Sequence, residues 1–235
     1  MPNLTKLGPS PEHAKYQALL PDFWKKVEQQ EADAIERGLP AKGMSDFAHE
    51  WFDAWANQDL DALRRCMAED CGFIDSSTFQ RKSVGREMTI ENCKQCFSAF
   101  PDIAFYPQDG TNRSLPYADY FEGQWRIAVP WRGIARNTGP FELPNTGAVV
   151  PATGRCFNFI GVDRYTLTED FRITHIDTDW DQLYGIIQLS PIRIPQPSPR
   201  VMRAAAAVAR LAVPPLRFLG GNTSPNEHRG FAIWE

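Results

Sequence analysis

Apolar positions along the chain change their period as it proceeds. Up to about residue 100 they recur every three or four residues, the spacing of one helix face. Phe23, Trp24, Val27, Ala34 and Ile35 form such a stripe among charged residues, and Gly38 with Pro40 stops it. Pro21 suits a first helical turn. Phe47, Trp51, Phe52 and Trp55 form a second stripe, with Ser45 and Asp46 as candidate N-caps. Asp59 can cap a short helix carrying Leu60, Leu63 and Met67. Gly85 opens another with Ile90, Cys93, Phe97 and Phe100, ended by Pro101. Beyond it the pattern becomes strand-like over 103–109, 117–136 (long enough for two strands), 155–167 and 171–180. An earlier strand covers Cys71–Asp75, and a Gly-, Pro- and Asn-rich connection spans Thr138–Gly154. A last short helix falls at about 181–189. The helical period returns once more at Val201, Ala204, Val208 and Leu211.

Helices followed by a mostly antiparallel sheet predict an α+β domain. Three regions follow: an N-terminal helical arm at 1–43, a central domain at 44–190, and a Pro-rich linker, helix and tail at 191–235. The arms invite packing against a second subunit. Composition then narrows the classes. Of 235 residues, 43% are apolar and 23% charged, which fits a folded chain rather than a disordered one. A net charge of −4 argues against nucleic-acid binding. No run approaches the roughly 20 apolar residues of a membrane span, and the first residues lack a signal-peptide core. Five cysteines in so long a chain fit a reducing compartment. A cytoplasmic protein without membrane or nucleic-acid partners is therefore expected. Its 15 Phe, 7 Trp and 6 Tyr exceed the needs of an ordinary core and hint at a pocket.

Four stretches resemble the SnoaL-like branch of the NTF2-like superfamily over about residues 44–190. They are FAHEWFDAWANQDLDALRRCMAEDCGFID, VGREMTIENCKQCFSAFPDI, NTGPFELPNTGAVVPATGR and EDFRITHIDTDWDQLYGIIQL. The resemblance implies a curved antiparallel sheet wrapped by helices into a cone with an apolar pocket. It implies cofactor-free acid–base chemistry of the kind found in polyketide cyclases, ketosteroid isomerases, dehydratases, epoxide hydrolases and lyases of aromatic diols. It also implies face-to-face sheet packing in a homodimer or larger homo-oligomer. Non-catalytic binders share the fold, so fold alone does not decide function.

The richest polar cluster is Thr174-His175-Ile176-Asp177-Thr178-Asp179-Trp180-Asp181. Alternate strand residues share a face, so His175, Asp177 and Asp179 project together, and Asp181 caps the next helix. A carboxylate in a dry pocket takes a raised pKa and can move protons near neutrality. Family resemblance places the catalytic acid three residues before the helix-opening Asp, which here is Thr178. A one-residue slip exchanges the faces, so Asp177 is the first candidate and Asp179 the second. Two histidines common in the family are replaced by Asn137 and by Ser76, which follows Asp75. Asn137, Arg136 or Tyr106 can polarise a carbonyl or hold a hydroxyl. Trp125, Ile127, Val129 and Trp131 alternate along one face and, with Tyr106, Phe159 and Trp51, make a candidate aromatic wall for a planar substrate.

Other features read as structural. His49 points away from the Trp51/Trp55 stripe toward solvent, and His13 and His228 lie in the arms. Scattered histidines give no metal spacing, so no metal is expected. Cys93 and Cys96 fall within a helical pattern and read as core. Gly220-Gly221 lacks a phosphate-binding layout, and no nucleotide motif is present. The function expected is a cofactor-independent enzyme performing aldol-type C–C chemistry, as a retro-aldol or deformylating lyase or a cyclase, on a hydrophobic aromatic or polyketide-like molecule. Two alternatives stand beside it. One is a non-catalytic module for an apolar ligand or protein. The other is a dehydratase or epoxide hydrolase, the latter using Arg164 or Arg172 beside the acids.

Overall fold

A computed structural model describes residues 4–75, 82–142, 149–192 and 198–219. Ser76, Gly220, Gly221, His228 and Trp234 lie outside the described residues. The chain divides into two compact units, Met1–Pro191 and Ile192–Glu235.

The first unit opens with helices α1 (His13–Gln17), α2 (Leu20–Glu36), α3 (Met44–Ala56) and α4 (Leu60–Cys66). Strands β1 (Met67–Asp75) and β2 (Lys82–Val84) lead into α5 (Arg86–Ala99). Strands β3 (Ala104–Pro107), β4 (Tyr117–Phe121), β5 (Gln124–Arg136), β6 (Phe141–Glu142), β7 (Val149–Val150), β8 (Cys156–Thr168) and β9 (Ile173–Trp180) follow, then α6 (Gln182–Leu189). The second unit contains α7 (Pro199–Leu219). The α+β order and the split of 117–136 into two strands agree with the sequence pattern. Glu122 and Gly123 both take positive φ at that split, the backbone a tight hairpin turn requires.

Caps explain the helix starts, with one correction. Asp59 accepts from the Asp61 and Ala62 amides, and Asp181 accepts from the Tyr184 amide, as expected. Ser45 and Asp46 do not cap α3. Its N-cap is Gly43, and Glu31 of α2 reaches across to accept from the Gly43 and Ser45 amides. A tertiary contact thus replaces the local cap.

The main sheet runs β2-β1-β9-β8-β5-β3, with β4 also paired to β5. All pairs are antiparallel except β1 with β9. Its inner face is apolar and packs under α3 and α5. Trp55 of α3 meets Phe97 of α5 and Phe105 of β3 edge-on at 5.3 and 5.1 Å. Trp125, Leu167 and Ile173 fill one end of this face and are almost wholly buried.

The N-terminal arm packs on its own chain. Trp24 stacks on His49 at 3.8 Å and meets Phe52 edge-on, so His49 is half-buried rather than free in solvent. His13 is likewise buried more than expected. Its ring nitrogens lie 2.9 Å from the Tyr106 hydroxyl and 3.1 Å from Asp102. Tyr16, Tyr106 and Ile134 form a small second core on the outer sheet face. Among the described residues, no helix is long and apolar enough to cross a membrane.

Candidate functional site

The face presented by β9 is set by one extra residue. Ile173 pairs with Leu167, but His175 pairs with Thr166, so Thr174 has no partner of its own in β8. This bulge shifts the alternation by one. Ile173 faces inward, and beyond the bulge Ile176, Thr178 and Trp180 face inward in turn. His175, Asp177 and Asp179 therefore lie on the outer face. There His175 Nε2 and Asp177 are 3.2 Å apart, and Arg164 donates to the exposed Asp179 at 2.7 Å. The expected clustering of these three residues is real, but it sits on the side of the sheet away from the apolar interior.

Two other carboxylates occupy the inner face. Thr178 pairs with Asp163 of β8 on one side and with Asp75 of β1 on the other. Asp163 pairs in turn with Val129 of β5. Asp75, Thr178, Asp163 and Val129 thus form a row across four strands, and each is half-buried. The rows on either side are buried more deeply on β5 and β8, at Tyr165 and Ile127 on one and Gly161 and Trp131 on the other, while Phe73 and Trp180 in those rows are half-buried like the acids. On β5 and β8 a half-exposed row between buried ones marks a recess in the interior. The two acids stand two strand spacings apart, roughly 10 Å at the backbone.

Asp163 is held from three directions. The Trp131 indole N–H donates to Oδ1 at 2.8 Å, and the Tyr165 hydroxyl donates to Oδ2 at 2.5 Å. The Thr178 hydroxyl also bonds it. Tyr165 is fixed from behind by the Trp51 indole N–H of α3, 3.1 Å from its oxygen. Burial pushes the Asp163 carboxyl up to about 6. The three hydrogen bonds pull it down, and the Asp75 charge adds to the rise. The Tyr165 phenol is raised well above its ordinary value, by burial first and by Asp163 second, so it stays a donor.

Aromatic walls enclose this row. Trp180 stacks on Phe159 at 4.8 Å, and its indole N–H points at both Asp75 oxygens from 3.4 Å. Trp131 packs edge-on against Phe105 and Phe159. Gly161 is required beneath it, because a Cβ there would fall 2.4 Å from the Trp131 ring. Of the expected aromatic wall, Trp51, Trp131 and Phe159 line this recess. Trp125 faces inward at the packed end, where it stacks on Phe171. Tyr106 pairs with Arg132 on the outward register and bonds His13, so it belongs to the arm contact.

Asn137 does not reach the acids. Its amide donates to the Ala99 and Gly139 carbonyls, and its carbonyl accepts from the Thr153 amide and hydroxyl. All of its hydrogen-bonding capacity goes into tying the end of β5 to α5 and to the start of β8. Arg136 likewise bonds backbone carbonyls of Gly8 and Gly154. Arg172 bonds the Arg65 carbonyl and Arg164 bonds Asp179, so the expected Asp–Arg–Asp arrangement is not assembled at the inner acids.

Cys93 is buried in the core, and Cys96 is half-buried beside the recess. Burial, then the Asp75 charge, raises the Cys96 thiol to about 12, so it offers no ready thiolate. Among the described residues, no group of three His, Cys, Asp or Glu side chains is placed to hold a metal ion.

The residues missed from sequence are Asp163 and Tyr165. Strand 156–168 carried the signal. Phe157, Phe159, Gly161, Asp163, Tyr165 and Leu167 occupy one alternating set, and Asp163 is the acid on that apolar face.

Residues 48–176 match the family model described as a SnoaL-like domain. Among solved structures, the chain is similar to AclR of Streptomyces galilaeus, a candidate hydroxylase, at 17% identity over 76% of this chain and 96% of that one, with a TM-score of 0.50. It is similar to a SnoaL-like candidate polyketide cyclase of Jannaschia sp. CCS1 at 20% identity, over 64% and 91% of the two chains, TM-score 0.48. It is also similar to IdmH of Streptomyces antibioticus, a candidate polyketide cyclase, at 20% identity over 62% and 96%, TM-score 0.45. No curated protein matches the chain in sequence.

Proposed function

The chain belongs to the SnoaL-like domain family, an NTF2-like fold, and on that footing we propose that it is a small-molecule enzyme in which Asp163 transfers protons. The observation that supports this is a carboxyl raised to about 6 inside an aromatic-lined recess. A base of that strength is largely ionised at neutral pH, yet holds a captured proton well enough to return it. Trp131, Tyr165 and Thr178 fix its orientation, so no reorganisation is needed when its charge changes.

The substrate suited to these walls is a hydrophobic molecule with a planar ring. Trp131, Phe159 and Trp180 offer stacking surfaces, and Asp75 offers a second polar anchor. The reaction is aldol-type C–C chemistry that needs no cofactor. In the cleavage direction Asp163 takes the proton of a β-hydroxyl. The O–H electrons form the new carbonyl, and the Cα–Cβ bond breaks. Its electrons pass to the activating carbonyl as an enolate, and the proton on Asp163 returns to Cα. Ring closure runs the same steps in reverse. Burial raises the Asp163 carboxyl, and the Asp75 charge adds to the rise.

A purely binding module has no use for acids on its inner face, so Asp163 and Asp75 favour the enzyme reading. The test is incubation with aromatic β-hydroxy carbonyl compounds, aryl diols and linear polyketide analogues, read by mass spectrometry. Loss of an aldehyde supports cleavage, and an isomeric ring product supports cyclisation. Loss of water alone supports a dehydratase. Tight binding of these compounds without any product overturns the proposal.

A further inference from the structure

We propose that Trp51 is a positioning residue for the buried acid: its indole N–H occupies the Tyr165 oxygen and so holds the single hydroxyl proton of Tyr165 on Asp163. This rests on the reading of Asp163 as the proton-transferring group. A phenol has one proton to donate, while its oxygen can also accept, and an indole N–H can only donate. Trp51 donates to the Tyr165 oxygen at 3.1 Å. The Tyr165 proton therefore cannot turn toward α3, and Asp163 Oδ2, 2.5 Å away, receives it. The chain from Trp51 through Tyr165 to Asp163 runs in one sense, and each bond polarises the next. Burial first and Asp163 second raise the Tyr165 phenol, while the Trp51 N–H pulls it down, which makes the phenol the better donor.

Two observations separate this role from plain core packing. The first is how firmly α3 sets the indole. Phe47 and Trp55 lie about one turn before and after Trp51. Phe47 stacks on Phe171 at 6.1 Å, and Trp55 meets Phe97 and Phe105 edge-on. The Trp51 ring itself meets Tyr165 edge-on at 6.0 Å, so its N–H has a fixed aim. The second is a contrast with Trp125. That side chain is almost wholly buried, yet its indole N–H has no partner among the described residues. The fold thus tolerates an unpaired indole, and burial alone does not account for the pairing of half-buried Trp51. As substrate wall alone, Trp51 would alter ligand affinity and leave the acid unmoved. The other titratable groups beside the pair are Asp75 of β1 and the Cys93 and Cys96 thiols of α5. Burial raises both thiols, to about 12 for Cys96, so they stay neutral while Asp163 titrates.

The test is NMR titration of the Asp163 carboxyl carbon in a double-mutant cycle of Trp51→Phe and Tyr165→Phe, with each variant verified as folded by circular dichroism. A hydrogen bond to a charged acceptor holds a carboxyl down by roughly 1–2 units, and cooperative strengthening supplies about 10–30% of it, so Trp51→Phe should raise the midpoint by about 0.3 unit. In the Tyr165→Phe background the same substitution should add nothing, because the intermediate group is gone. Site-specific replacement of Trp51 by benzothienylalanine keeps the double ring and puts sulfur in place of the N–H. It should raise the midpoint by the same amount without a change in packing. With a confirmed substrate, the acid limb of the kcat profile in that variant should move up with the midpoint while KM stays near wild type. An unchanged midpoint in both Trp51 variants overturns the proposal. So does an equal rise with and without the Tyr165 hydroxyl, which would make Trp51 act directly on the acid. The titration needs no turnover, so failure of Asp163 as the working acid is read separately, as full activity in Asp163→Asn.

Discussion

Tyr165→Phe isolates what the phenol does for the buried acid. The Tyr165 hydroxyl donates to Asp163 at 2.5 Å, and the same oxygen accepts from the Trp51 indole at 3.1 Å. A hydrogen bond to a charged acceptor contributes about 1.5–3 kcal/mol. At about 1.4 kcal/mol per pKa unit, its loss disfavours the carboxylate by roughly 1–2 units. Asp163 stands at about 6 in the intact protein, so its titration in the variant moves to about 7–8. Trp131 and Thr178 still bond the carboxyl, which limits the rise. The assay is NMR titration of the Asp163 side-chain carboxyl carbon, assigned by comparison with Asp163→Asn. It needs no substrate. A midpoint in Tyr165→Phe that stays at about 6, or falls, refutes the claim that this phenol steadies the charged form.

Three further outcomes follow from the same geometry. A carboxyl whose folded pKa is raised stabilises the fold only while protonated; stability is full below its unfolded value near 3.8 and declines as pH rises through about 6. Asp163→Asn removes that decline, so urea unfolding should show the variant gaining about 2 kcal/mol on the wild type between pH 4 and pH 7. Asn137→Ala leaves the carbonyls and amide it bonded unpaired, and should cost about 2–4 kcal/mol by the same assay without moving the Asp163 titration. Gly161→Ala drives a methyl into the Trp131 ring and against the Asp179 carbonyl and displaces the Trp131 hydrogen bond to Asp163, which should raise the Asp163 midpoint, lower turnover and cost stability as well.

The fold was legible because its determinants are local. Stripes such as Phe47, Trp51 and Trp55, stops such as Pro101, and the Asp59 and Asp181 caps each act within a few residues of where they stand. The α3 cap was not legible, because Glu31 supplies it from another helix. The polar cluster of β9 was legible as a cluster, but the face it takes was not. What the sequence did not reveal is the bulge at Thr174, since a bulge depends on pairing with β8 rather than on the residues of β9 alone. That single unpaired residue sends Asp177 and Asp179 outward and Thr178 inward, leaving Asp163 on the neighbouring strand to face the recess. The arms illustrate the same limit. His13 and His49 read as exposed because their partners, Asp102, Tyr106 and Trp24, are distant in sequence.

The central claim is that the working acid lies on the inner face, at Asp163, and not in the outer cluster. The most direct test is turnover of one confirmed substrate by Asp163→Asn and Asp177→Asn side by side, with both variants verified as folded. The account predicts at least about a hundredfold loss of kcat for Asp163→Asn, the usual scale of a lost general base, and near wild-type turnover for Asp177→Asn. Full activity in Asp163→Asn, or loss confined to Asp177→Asn, would contradict it.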